Sequence, residues 1–154
     1  MASSIRETIL DNIVTRMEAI TTGGGYEQTV SKCYRPHVGA FNITEYPAVV
    51  LQVLQEGHRR HVRLAYEIRM RIGLRCYVES SAEEDRNEQL QDLMADVVKA
   101  MQTDETWSGK AIGTEVISMG TVEDEIVAPA AVGIVEMEIL YRVKRDDPYT
   151  VKVI

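Results

Sequence analysis

The chain has 154 residues, enough for one domain that buries roughly 70% of the surface its unfolded form exposes. Apolar residues make up 45% and charged residues 27%, a globular mix that argues against disorder and needs no disulfide or metal to hold a core. Seventeen Lys and Arg against 24 Asp and Glu give a net charge of −7, which disfavours stable nucleic-acid binding as the main function, because such binding rests on neutralising phosphates.

The opening MASSIRETIL contains no apolar stretch of signal-peptide length, and no window approaches the ~18 apolar residues a membrane span requires. Ser4 and Glu7 form a capping box. Ile5, Ile9, Ile13 and Met17 then recur at spacing four, flanked by Leu10, Val14 and Ile20, which predicts an amphipathic helix. Gly23-Gly24-Gly25 ends it. A phosphate cradle needs a strand before and a helix after. The order here is reversed, so a turn is expected.

Gln28 to Arg35 reads as an edge strand stopped by Pro36. Residues 36–47 read as a loop, and Ala48 to Leu54 as a buried central strand. The sequence GHRRH at 57–61 reads as a solvated, hairpin-like turn. The strongest signal follows. Val62, Leu64, Tyr66, Ile68, Met70, Ile72, Leu74, Cys76 and Val78 hold every even position, and Arg63, Glu67, Arg69, Arg71, Gly73, Arg75 and Glu79 fall on the odd ones. Period two means one buried face and one wet face. Such a strand would run roughly 55 Å at ~3.3 Å per residue, so Gly73 is expected to mark a bend or bulge, or else part of the strand projects as an arm.

Ser81 and Glu84 suggest a second capping box, and Glu83, Glu84 and Asp85 suit the positive end of a helix. Leu90, Leu93, Met94, Val97, Val98 and Met101 form its apolar stripe. A polar loop with the only tryptophan, Trp107, leads to a strand at 111–119. The acidic run Glu123-Asp124-Glu125 and Pro129 occupy the next loop. A last strand spans 132–144, with Val135, Met137, Ile139, Tyr141 and Val143 facing the core and Glu136, Glu138, Arg142 and Lys144 facing water. The remaining DDPYTVKVI reads as a short polar tail. The sum is one α+β domain: a mostly antiparallel sheet of about five strands packed against two amphipathic helices as a two-layer sandwich.

Chemistry-bearing motifs are sparse. No GxSxG elbow occurs. Cys33 and Cys76 match neither a CxxC pair nor a zinc spacing and read as reduced, partly buried thiols. His58 and His61, three apart and split by two arginines, make a poor metal site. The acidic clusters read as helix capping and solvated loops, and no acidic-x-Lys triplet accompanies Glu136 and Glu138. The expectation is therefore no catalytic residue, no metal and no cofactor. The charged rows are more informative: Arg63, Arg69, Arg71 and Arg75 on one strand, Glu136 and Glu138 on another. They either pair across neighbouring strands within one subunit or meet between subunits, where they fix register and partner. If they meet between subunits, reversing Arg69 and Arg71 to Glu abolishes assembly and leaves the subunit folded.

The layout resembles the bacteriophage tail terminator, or tail completion, family. The resembling features are the helix Ile5–Ile20 after a short polar start, Tyr34-Arg35-Pro36, Tyr46-Pro47-Ala48-Val49-Val50 leading a central strand, the long alternating strand, the helix EDRNEQLQDLMADVVKAM, and the closing EMEILYRVKRDDPYT with Asp147-Pro148-Tyr149. The likeness covers most of the chain and is one of layout. It implies an α/β sandwich with an antiparallel sheet and a homo-oligomeric, six-fold ring. Such a ring caps the tail tube, stops its polymerisation and offers a surface to the head-side connector or neck protein. It further implies a place in the virion, no catalytic residues, no membrane partner, and a lumen that passes DNA without binding it specifically. Two alternatives stand beside it: another head–tail joining or neck protein, and a small cytoplasmic enzyme or ligand-binding domain.

Overall fold

A computed structural model describes residues 3–35, 43–62, 65–122 and 130–151. The first helix, α1 (Ile5–Glu18), starts at Ser4, whose extended backbone turns its Oγ to accept from the Glu7 N–H at 3.2 Å. The reciprocal half of the capping box is not made. The Glu7 carboxylate instead takes hydrogen bonds from Arg6 and Arg35. Ile5, Ile9, Leu10, Ile13 and Met17 form the buried stripe. The three glycines form a tight 3-10 turn over Thr22–Gly24, with Gly25 at φ 95°. The Gly24 and Gly25 N–H groups are spent on Thr21 and Thr22, which leaves them unavailable to an anion.

The expected strand at 28–35 shrinks to β1 (Lys32–Tyr34). The residues before it are bound elsewhere: the Glu27 and Gln28 N–H groups donate to the Asp96 carboxylate, and the Val30 N–H donates to the Ile20 carbonyl. The next strand, β2 (Ala48–Val62), runs well past the expected end at Leu54 and takes in the GHRRH sequence as strand rather than turn. The cause is its partner. The following β3 (Ala65–Glu79) offers a ladder along the full length, from Ala48↔Tyr77 to Val62↔Ala65. Pairing holds β2 extended where neither face is buried. Gly73 is not itself bulged, because its register with the next strand is unbroken. The irregularities lie on β2, at Leu54 between Val53 and Gln55 and again between Arg60 and Val62. A Cβ on Gly73 would sit 3.2 Å from Ile134 Cδ1 and 3.3 Å from Leu54 Cδ1, so glycine is what lets those two side chains close over the strand.

The second helix, α2 (Glu83–Met101), begins one residue later than the proposed capping box allows. Its N-cap is Ala82, which makes no side-chain bond, and the acidic first turn alone complements the dipole. Leu90, Leu93, Met94, Val97 and Met101 are buried as expected, with Val98 partly so. Two more strands, β4 (Gly113–Thr121) and β5 (Ala130–Lys144), follow, and the expected polar tail folds back as a sixth, β6 (Asp147–Val151). The sheet order is β1-β2-β3-β5-β4, with β6 pairing the far end of β5. Only β1–β2 is parallel. The α+β sandwich therefore holds, with six strands in place of five.

Both helices cover one face of the sheet. Ile68, Met70, Ile72, Leu74, Cys76 and Val78 of β3 and Val135, Met137, Ile139, Tyr141 and Val143 of β5 join the helix stripes in a single core. The long β3 does not project as a lone hairpin arm, because β5 accompanies it as far as Ala65↔Lys144.

Trp107 is the largest fully buried side chain among the described residues, although its surroundings in sequence are polar. Its Nε1 donates to Thr114 Oγ1 at 2.8 Å, and that hydroxyl donates to the Glu105 carbonyl at 2.9 Å. The Arg16 guanidinium sits 3.6 Å from the ring centre and donates to the Asp104 carbonyl. Trp107 and Ser108 are held at φ 53° and 59°, while the Asp104 carboxylate accepts from the Thr106 and Ser108 N–H groups. The loop thus clamps the end of α1 to the start of β4. Replacing Thr114 by the isosteric Val leaves the buried indole N–H without an acceptor. Thr114→Val is expected to cost about 1–3 kcal/mol, read as a lower urea midpoint with an unchanged slope.

Candidate interaction surface

No described helix lies on the second face of the sheet, which carries the charged rows. On β3 these are Glu67, Arg69, Arg71 and Arg75; on β5 they are Glu136, Glu138 and Arg142, in antiparallel register as Glu67↔Arg142, Arg69↔Leu140, Arg71↔Glu138, Gly73↔Glu136 and Arg75↔Ile134. Arg142 grips Glu67 through Nη2 at 3.0 Å and Nε at 3.2 Å. Arg69 reaches diagonally to Glu138 at 2.9 Å and approaches Glu67 at 3.8 Å. The four residues form one zigzag of alternating charge across two strands, each link worth about 0.2–1 kcal/mol.

The structure therefore brings Arg69 and Glu138 together within one chain, the first of the two pairings the sequence allowed. Arg71 stands opposite Glu138 but is half-buried between β2 and β5. Glu136 stands between Gly73 and Ser118, and Arg75 between Val50 and Ile134. Arg63 and the run Glu123-Asp124-Glu125 lie outside the described residues. Glu67 and Arg142, which complete the zigzag, are visible in sequence only once β3 and β5 are known to be neighbours.

Two borders of the sheet are open among the described residues. β4 pairs only with β5, and Val116, Ile117 and Met119 on it are 39–47% exposed. β1 covers β2 only at Ala48–Val50, so the rest of that border, including exposed His58, Arg59 and Arg60, pairs with no strand. Glu115 of β4 lies directly opposite Glu138, like charges side by side, and no Lys or Arg among the described residues pairs with Glu115.

Burial pushes the Cys33 thiol up to about 12 and the Cys76 thiol higher still, so both stay protonated. Among the described residues no three His, Cys, Asp or Glu gather as metal ligands. His58 sits on β2 with its Nε2 at 4.0 Å from Glu56. No described helix is long and apolar enough to cross a membrane. The sequence matches no family model and no curated protein.

The zigzag makes Arg69 part of the subunit's own electrostatics. Arg69→Glu sets three carboxylates, at 67, 69 and 138, within reach of one another. We expect this variant to lose about 0.5–1 kcal/mol, and the double variant Arg69→Glu/Glu138→Arg to recover most of it, measured by chemical denaturation. Reversal of Arg69 thus weakens the subunit itself.

Proposed function

We propose that this protein is a tail terminator: a structural subunit that assembles with copies of itself, six to a ring, on the end of a phage tail tube. The ring ends tube growth and gives the head-side connector or neck protein a surface to bind. Its place is the virion, after assembly in the host cytoplasm, and its work is contact rather than catalysis.

The observation that carries this reading is the one-sided sandwich. Two helices close one face of a six-stranded, mostly antiparallel sheet, and the other face is left to rows of charge. A sandwich of helices on an antiparallel sheet is what the family resemblance implies. A face with alternating Arg and Glu suits recognition of protein, since charge patterns select partner and register more than they add affinity. The net charge of −7 suits a lumen through which DNA moves without being held.

Electron microscopy of the purified protein, alone and mixed with growing tail tubes, tests the reading. Six-membered rings seated on tube ends and tubes of arrested length are the expected result. Tubes that keep growing with bare ends would overturn it.

A further inference from the structure

We infer that copies of this chain join border to border, with β4 of one subunit adding to the exposed half of β2 in the next, so that the sheet runs on from subunit to subunit. The inference rests on the self-assembly proposed above and names its contact.

Strand direction comes first. β2, β3, β5 and β4 are neighbours in that order and each pair is antiparallel, so β4 runs opposite to β2. Repeating the subunit sideways then places β4 against the next β2 as an antiparallel pair, with every subunit presenting the same face. The level also matches. The register rows Gly57↔Arg69↔Leu140↔Gly113 and Leu51↔Leu74↔Val135↔Met119 show that the two open borders lie at the same height on opposite sides of the sheet.

The β4 border lacks the protection of basic charge or proline. Soluble proteins blunt an edge strand with lysine, proline or a cover. β4 reads GTEVISMGT, with no Lys, Arg or Pro, and exposes Val116, Ile117 and Met119. An extended partner gains main-chain hydrogen bonds on such an edge.

Charge selects which partner. Glu115 faces Glu138 within the chain, and among the described residues no acidic group pairs with Arg59 or Arg60 on β2. Gln55 and Arg59 lie on the same sheet face as Glu115. A stagger of four residues from level sets Arg59 of one subunit against Glu115 of the next. Joining two β2 borders would gather Arg59 and Arg60 of both copies on one seam, and joining two β4 borders would give Glu115 no basic partner, since that strand has no Lys or Arg. The favoured contact is therefore head to tail, the kind that closes into a ring when its rotation allows.

Sedimentation velocity of the full chain, alone and with tail tubes, provides the test. Glu115→Arg and Arg59→Glu should each raise the concentration needed for assembly by about tenfold or more, and the double variant should restore it. Circular dichroism checks that each subunit is folded. Variants with one added cysteine, Arg59→Cys and Glu115→Cys, give an independent readout under an added thiol oxidant, because Cys33 and Cys76 are buried. A disulfide-linked pair is expected only when the two variants are mixed. Linkage of Glu115→Cys with itself would overturn the head-to-tail contact. Wild-type assembly from both charge variants would overturn the border contact while leaving the ring reading intact. A wild-type chain that stays single, alone and on tubes, would remove both.

Discussion

The fold depends on one strand that is paired along both sides. β3 pairs with β5 over its whole length and with β2 from Ala65 to Tyr77, so its alternation of apolar and polar residues is imposed on both neighbours. Ile68, Met70, Ile72, Leu74, Cys76 and Val78 fix which face the helices cover. Glu67, Arg69 and Arg71 fix the chemistry of the other. A slip of one residue would exchange the two faces. The zigzag from Arg142 through Glu67 and Arg69 to Glu138 is formed only in the native register, so burial and charge select the same alignment.

The helical layer is tied to this sheet by polar contacts of a different kind. Asp96, buried in α2, accepts the Glu27 and Gln28 N–H groups and so holds the segment that leads into β1. Arg16 spans from α1 to Trp107, whose indole is fixed in turn by Thr114 at the start of β4. Each contact satisfies a group that burial would otherwise make costly. Together they position the two ends of the sheet, and with them the borders left open.

Much of this was legible in the sequence wherever one face is dry and the other wet. β3, β5 and both helix stripes carry clear periods because burial selects every second residue in a strand and every third or fourth in a helix. The far half of β2 was illegible for the same reason: its residues are exposed on both faces, and pairing with β3 alone keeps them extended. Trp107 lies in the polar loop the composition predicts, and its burial against Arg16 and Thr114 has no local signal, because it depends on α1 and β4 meeting there. Among the charged candidates, Arg69, Arg71, Arg75, Glu136 and Glu138 lie on one sheet face, but which Arg meets which Glu depends on the β3–β5 register. No local pattern encodes that register. β4 gave no hint of its open border, since exposed apolar residues at both parities resemble an ordinary strand.

The two thiols have a consequence for how the molecule is observed. Cys33 on β1 and Cys76 on β3 flank Val49 of β2 in register, and both are buried and held protonated. A labelling reagent reaches them only when that corner of the sheet parts. The rate of their modification is thus a clock for local opening: Cys33 times the release of a three-residue border strand, and Cys76 the rupture of the central ladder.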